Sequence, residues 1–254
     1  MNKRVVYGIN PVAEAFRSRG DSGAIVELLV SEKRGDRLVE RIVGEARSRN
    51  IPVRKVTPAD LTRICGRPAH QGVAAVLRGG FPYRSLDDLI DAWRRTGGAA
   101  FFLVLDCIQD PQNLGSLLRA AHCAGVNGVV VPKDRSCPVT STVVKASAGA
   151  TEHTPVARVT NLREALKRLK QEGVWIVGIE ADSPKSIYEE DLAVDLALVI
   201  GSEDRGIRRL VRRECDLCVH IPMRGLVNSL NAAQAGAIAL FEARRQKDCA
   251  GIRG

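Results

Sequence analysis

Three segments of this 254-residue chain carry polar side chains at spacings that suit chemistry. In the first, Asp106-Cys107-Ile108-Gln109-Asp110-Pro111-Gln112-Asn113-Leu114, Arg119 follows Asn113 by six positions, so an amide and a guanidinium share one short stretch. A planar guanidinium grips phosphate oxygens in pairs. Equally, Asn113 after a loop proline suits a helix N-cap, and Arg119 suits a solvated helix charge on one broad face with it. In the second, Gly201-Ser202-Glu203-Asp204-Arg205-Gly206, Gly201 lets backbone approach a ligand closely. Glu203 and Asp204 are either functional there or simply favourable at a helix N-terminus. The third, Ile221-Pro222-Met223-Arg224-Gly225-Leu226-Val227-Asn228-Ser229-Leu230-Asn231, offers Ser229 or Asn228 as the cap of an Ala- and Gly-rich helix.

Other chemistries are weaker. Cys215-Asp216-Leu217-Cys218-Val219-His220 invites a zinc reading. As a strand, however, it would put Cys215 on one face and Cys218 with His220 on the other, and no second ligand pair has suitable spacing, so no metal is expected. The same Cys-x-x-Cys lacks the helix-start context of a thioredoxin motif. No Gly-x-Gly-x-x-Gly follows a strand and no Gly-x-x-x-x-Gly-Lys-Ser/Thr occurs, which disfavours dinucleotide binding and P-loop hydrolysis. His70-Gln71-Gly72 reads as an RNA-facing turn or an ordinary strand entry, and His122 and His153 as packing or surface residues.

The elements that must position these groups read as an α/β series. Helices are expected over 10–18 and 36–49, and strands over 24–31, 51–56 and 72–77, making one compact module over residues 1–78. Turn formers at Arg78-Gly79-Gly80-Phe81-Pro82-Tyr83 and Thr96-Gly97-Gly98 bracket a short helix, Ser85 to Arg95, and residues 79–98 read as a linker. Residues 99–254 then carry short apolar runs at 101–105, 128–131, 174–179, 196–200 and 217–221, of the kind that suits parallel strands covered on both faces. Helices fall between them at 114–124, 162–172, 207–213 and about 229–245, with 246–254 as a frayed tail. Open parallel sheets bind ligands at the carboxyl ends of their strands, which is where the three polar segments lie.

Composition sets the outer bounds. Hydrophobic residues at 45% and charged residues at 26% provide an ordinary globular core. No run approaches the ~20 apolar residues that span a bilayer, so no membrane association is expected. The start carries no apolar segment of a secretory signal, and seven cysteines read as free thiols, so a cytoplasmic protein is expected. The net charge of +9 is mostly an excess of Arg, which favours a phosphate-rich partner such as nucleic acid, although a merely soluble basic protein would look the same.

Taken in order, each after a strand, the three segments resemble the SpoU family of RNA ribose 2′-O-methyltransferases, of the SPOUT superfamily. Asn113…Arg119 is similar to the family's first motif, Gly201-x-Glu203-x-x-Gly206 to its second and Ile221-Pro222…Ser229-Leu230-Asn231 to its third. The likeness covers residues 99–247. The stretch from Tyr7-Gly8 to His70-Gln71-Gly72-Val73-Ala74 is similar to the family's small ribosomal-protein-like RNA-binding domain, and Val131-Pro132-Lys133-Asp134-Arg135-Ser136 resembles the subgroup that modifies a guanosine in the P loop of 23S rRNA.

The resemblance implies a parallel-sheet α/β domain with a deep trefoil knot, S-adenosylmethionine bound in the knot, a homodimer, and no metal. It assigns the activation of the ribose hydroxyl to Arg119 with a substrate phosphate; a guanidinium that gathers the phosphate and stabilises alkoxide character requires no deprotonation. Asn113 and Glu203 would position it, Ser229 and Asn231 would contact the target nucleotide or hold Arg119, and Gly201, Ile221 and Leu230 would line the cofactor pocket. A tRNA or another rRNA site as substrate, or a non-catalytic RNA-binding assembly factor, are the competing expectations.

Overall fold

A computed structural model describes residues 3–19, 24–32, 36–226 and 229–252. In chain order they form β1 (Lys3–Tyr7), α1 (Ile9–Arg19), β2 (Ile25–Ser31), α2 (Arg37–Ser48), β3 (Val53–Val56), α3 (Pro58–Cys65) and β4 (Val73–Arg78). There follow α4 (Leu86–Thr96), β5 (Phe101–Leu105), α5 (Pro111–Ala124), β6 (Gly128–Pro132), α6 (Ser141–Ala146), β7 (Val156–Val159) and α7 (Leu162–Gln171). The last third adds β8 (Trp175–Ile179), β9 (Lys185–Ser186), β10 (Leu196–Ile200), α8 (Arg209–Arg212), β11 (Leu217–His220) and α9 (Ala232–Cys249). They divide into two compact units, Met1–Pro82 with Val139–His153, and Tyr83–Pro138 with Thr154–Gly254.

The first unit is built on a four-stranded sheet in the order β1-β4-β2-β3, with β4 antiparallel to both neighbours and β2 parallel to β3. Tyr7, Leu29, Val56, Leu61 and Ala74 form its core. Asp36 caps α2, and Thr57 with Pro58 starts α3, each side chain accepting an otherwise orphaned backbone N–H. Residues 139–153, expected in the domain over 99–254, belong to this unit. Arg4 Nη2 donates to both oxygens of buried Glu152, at 2.9 and 2.8 Å, and Gly149 sits where a Cβ would come within 2.9 Å of the Pro11 Cα. A pair 148 positions apart leaves no trace in local periodicity.

The second unit is a seven-stranded, wholly parallel sheet in the order β7-β6-β5-β10-β8-β11-β9. Every residue of β5, β6 and β10 is buried, as strands covered on both faces require. The segment 79–98 is more than a linker. Its helix α4, started by a capping box at Ser85 and Asp88, buries Leu89, Ile90 and Trp93 in this core, with Trp93 packed edge-on against Phe102. The order reverses at β5, which has β6 on one side and β10 on the other. This switch point gathers the loops after β5, β10, β8 and β11 at one edge.

Several boundaries differ from expectation. Pro111 occupies the first turn of α5 and Asp110 is its cap, accepting from Asn113 N at 2.9 Å, so Asn113 lies in the first turn and its side chain does not cap the helix. The cap of α9 is Asn231, which accepts from Ala233 N and Gln234 N; Ser229 precedes it and Asn228 lies outside the described residues. Residues 203 and 204 sit in a tight turn, not at a helix start, because α8 begins only at Arg209. Residues 246–249 continue α9, where Lys247 is buried and donates to the carbonyls of Val194 and Ala100. In the first unit His70 is buried and internally bonded, to Thr62 and to Gly72 N, which fits the strand-entry reading.

Candidate functional site

The loop after β5 is held by a buried carboxylate. Asp106 is inaccessible to solvent; its Oδ2 accepts from Arg208 N at 2.8 Å and its Oδ1 from Arg208 Nε at 2.7 Å. That pair fastens the first polar segment to the loop after β10. Within the latter loop, Ser202 and Gly206 exchange backbone hydrogen bonds of 3.1 and 2.9 Å, and Gly206 has φ +61. Gly201 lies so close behind this turn that an added Cβ would meet the Gly206 carbonyl carbon at 2.1 Å. Only glycine fits there.

A third anchor comes from the loop after β8. Glu180 Oε1 accepts from Ile207 N at 2.6 Å, and Arg212 reaches Glu180 and Asp182 at 3.7 and 3.5 Å. Burial raises the Glu180 carboxyl above the ordinary carboxylate range, and the Ile207 N–H partly offsets this.

Three polar side chains then meet. Glu203 Oε1 accepts from Asn113 Nδ2 at 2.7 Å, from Asn231 Nδ2, and from Ala232 N at 3.4 Å, while Asn231 Nδ2 also donates to Asn113 Oδ1 at 3.0 Å. One carboxylate thus ties the start of α5, the turn after β10 and the cap of α9 into a node.

Two cavities flank it. The first, of about 290 Å³, is lined by Ile179, Glu180, Asp182, Ile200, Gly201, Gly206, Ile221, Met223, Ser229 and Leu230 among others. The second, of about 430 Å³, is lined by Cys107, Ile108, Asp110, Asn113, Arg135 and Arg208 among others. Ser202, Glu203, Arg205 and Ala232 line both. Such an arrangement can hold two reactants on either side of one turn, one in a largely apolar slot with carboxylates at its edge, the other among guanidinium groups.

Family profiles match both parts of the chain. Residues 100–241 match the SpoU rRNA methylase family, and residues 5–80 match the substrate-binding region of RNA 2′-O ribose methyltransferases. The chain belongs to the SpoU rRNA methylase family. This SpoU methylase is 42% identical over 252 residues to the 23S rRNA (guanosine-2′-O-)-methyltransferase RlmB of Xylella fastidiosa strain 9a5c, covering 97% of this chain and 99% of that one. To the RlmB of Xanthomonas axonopodis pv. citri it is 41% identical, over 95% and 96% of the two chains. Among solved structures, it resembles the AdoMet-bound rRNA methyltransferase from Sinorhizobium meliloti with TM-score 0.76 and 26% identity, over 96% of this chain and 87% of that one. It shares the fold of AviRb from Streptomyces viridochromogenes in complex with AdoMet, with TM-score 0.80 and 24% identity over 97% and 91%.

Of the residues read from the sequence of this SpoU methylase, Gly201, Glu203, Ile221, Ser229 and Leu230 line the first cavity, Asn113 and Glu203 the second, and Asn231 joins them through hydrogen bonds. Arg119 stands apart: it is exposed on α5 and lines neither cavity. Six residues turn an α-helix to about 120° from the starting side chain, so Asn113 and Arg119 do not share a face. Asp106, Glu180 and Arg208 were not singled out. An aspartate directly at a strand's carboxyl end was the available signal for the first; nothing local pairs it with a residue 102 positions away.

The Cys-x-x-Cys sits differently from its strand reading. Cys215 precedes β11 rather than lying in it, so strand alternation does not separate it from Cys218, and both sulfurs lie against Gly178. Among the described residues no group of three or more His, Cys, Asp or Glu side chains is arranged to hold a metal.

Proposed function

We propose that this chain transfers a methyl group from S-adenosylmethionine to the ribose 2′-hydroxyl of a guanosine in the peptidyl-transferase P loop of 23S rRNA. The observation that carries the reading is the shared wall: the Ser202–Arg205 turn borders both cavities and is fixed by the Asn113–Glu203–Asn231 node. The 42% identity to a 23S rRNA guanosine methyltransferase across nearly the whole chain supports the substrate.

The residues fit the cofactor. Ile200, Ile221 and Leu230 give apolar walls for an adenine ring, Gly201 exposes backbone, and Glu180 and Asp182 offer carboxylates to hydroxyl or ammonium groups. When bound, S-adenosylmethionine supplies an electrophilic methyl on a sulfonium. The chain supplies alignment and a site in which developing alkoxide meets positive charge. Glu203 holds the two amides, so that the turn keeps one position between the cavities. Arg135, Arg205 and Arg208 place positive charge around the second cavity, where a phosphate would lie. In this reading the enzyme acts in the cytoplasm as a homodimer with a knotted catalytic domain and no metal. Residues 1–78 select the RNA. Arg119, exposed on α5, is available both to substrate and to a second copy.

The test is Arg119→Ala in a tritiated S-adenosylmethionine assay on 23S rRNA. Methyl transfer is expected to vanish while RNA binding by filter retention stays; normal turnover would remove the assignment. Mapping 2′-O-methyl sites in cells lacking the gene decides the substrate. A missing tRNA methyl instead of the 23S guanosine would transfer the activity to tRNA.

A further inference from the structure

The Cys-x-x-Cys around β11 is a cluster with its own geometry. Cys218 pairs with Gly178 in the parallel register of β11 and β8. Cys215 closes the turn after α8, its N–H bonded to Arg212 O at 3.1 Å. Because Gly178 has no side chain, both sulfurs converge on it: a Cβ there would lie 3.0 Å from Cys218 Sγ and 3.2 Å from Cys215 Sγ. The Cys215 thiol donates to Val211 O at 3.7 Å, and the Arg212 guanidinium lies beside the Cys218 sulfur. Both cysteines are partly accessible.

We propose that Cys215 and Cys218 form a modification site, a dithiol that a hydroperoxide closes to a disulfide, and that closing it loosens the first cavity through Arg212. The second half rests on the cofactor reading above. The adjoining Cys215 and the Arg212 guanidinium hold the Cys218 thiol below its ordinary value, while the neighbouring Cys218 sulfur and burial hold Cys215 above it. Cys218 is therefore the attacking thiolate and Cys215 the resolving thiol.

The Cys218 sulfur attacks one oxygen of the hydroperoxide, the O–O bond breaks, and the departing alkoxide takes a proton to leave as alcohol. The resulting sulfenic acid is attacked by the Cys215 sulfur; the S–O bond breaks and hydroxide leaves with the Cys215 proton as water. Two thiols and one hydroperoxide thus give one disulfide, one alcohol and one water. The disulfide is uncharged and no longer presents Arg212 with the negative charge of a thiolate. Arg212 is the cation that reaches Glu180 and Asp182, both of which line the first cavity.

The experiment treats the full chain with hydrogen peroxide and digests it with trypsin, which releases Glu214–Arg224 with both cysteines and none of the other five. That peptide is expected to become lighter by two hydrogens and to recover with dithiothreitol; Cys218→Ser is expected to abolish the change, and Arg212→Gln to slow it several-fold at neutral pH. A peptide that stays reduced, or goes directly to sulfinic and sulfonic acids, while exposed Cys123 and Cys249 oxidise would overturn the dithiol. Calorimetry with S-adenosylmethionine is expected to give about tenfold weaker binding after oxidation, the size of one charge-assisted hydrogen bond. Equal affinity in both forms would overturn the link to the cavity. Reduced protein that binds no S-adenosylmethionine would instead sink the functional reading, and the peptide mass would still decide the dithiol.

Discussion

Replacing Gly201 by Ala tests the geometry of the site at its tightest point. The new methyl would sit 2.1 Å from the Gly206 carbonyl carbon, 2.3 Å from its oxygen and 2.3 Å from Ile207 N. All three are backbone atoms, so no side chain can rotate away. Restoring an ordinary contact of 3.4 Å to the nearest of them requires a displacement of 1.3 Å, the difference between 3.4 and 2.1 Å. A shift of that size parts the two Ser202–Gly206 hydrogen bonds, worth about 1 kcal/mol each, and adds about 1–3 kcal/mol of overpacking. The sum is roughly 3–5 kcal/mol, and at about 2–4 °C per kcal/mol for a chain of this size the melting temperature falls by about 10 °C. The same movement displaces Glu203 from Asn113 and Asn231. Thermal unfolding by circular dichroism gives the first number and calorimetric titration with S-adenosylmethionine the second; binding is expected to be lost. Gly80→Ala, where nothing lies within 4 Å, is the control and should change neither. A Gly201→Ala protein that melts like the parent and binds the cofactor equally would refute the close approach.

Three other outcomes follow from the same contacts. Gly44 lies exposed inside α2 with nothing within 4 Å of its missing Cβ, so Gly44→Ala should stabilise the chain by about 0.5–1 kcal/mol in urea unfolding; destabilisation would mean the helix is not formed there. Arg208→Ala strands the inaccessible Asp106 carboxylate and should cost about 3 kcal/mol, much of it recovered in the Asp106→Asn, Arg208→Ala double variant, whereas a single variant costing under about 1 kcal/mol would show that the pair does not fasten the two loops. Glu180 has its pKa raised from the ordinary 4.5, so the folded state binds that proton more tightly than the unfolded one and stability falls as pH rises between the two values. Glu180→Gln keeps an acceptor for Ile207 N and should therefore melt higher than the parent at neutral pH, with the advantage gone near about pH 4; an advantage independent of pH would contradict the assignment.

What was legible in the sequence follows the physics of each element. β5 and β10 begin and end where their apolar runs do, because strands buried on both faces leave nothing polar inside them. β7 and α6 went unread, being short segments of mixed polarity whose partners lie elsewhere in the chain. α3 was missed although Thr57-Pro58 before Asp60 is a helix-start signal. In the site, Gly201, Ile221 and Leu230, singled out from their motifs, line the first cavity. The ties between loops were not, since Asp106–Arg208 and Asn113–Glu203 join positions 102 and 90 residues apart. The error over the two cysteines had a local cause: alternation was extended two residues before the strand begins.

The division of labour among these ties explains why an exposed node can define a site. Hydrogen bonds between accessible polar side chains are individually weak, and Glu203 is exposed, so the node by itself would hold little. Each loop is fixed independently by something buried or backbone-bound: the loop after β5 by Asp106 on Arg208, the turn after β10 by its paired backbone bonds and by Ile207 N on Glu180, and α9 by its own cap. With those in place, Asn113, Glu203 and Asn231 lose little further freedom on meeting, and the entropy that normally opposes such contacts has already been spent in forming the loops. The node therefore contributes alignment more than stability. It sets where the turn stands between the two cavities, which is the variable on which a transfer between two bound reactants depends.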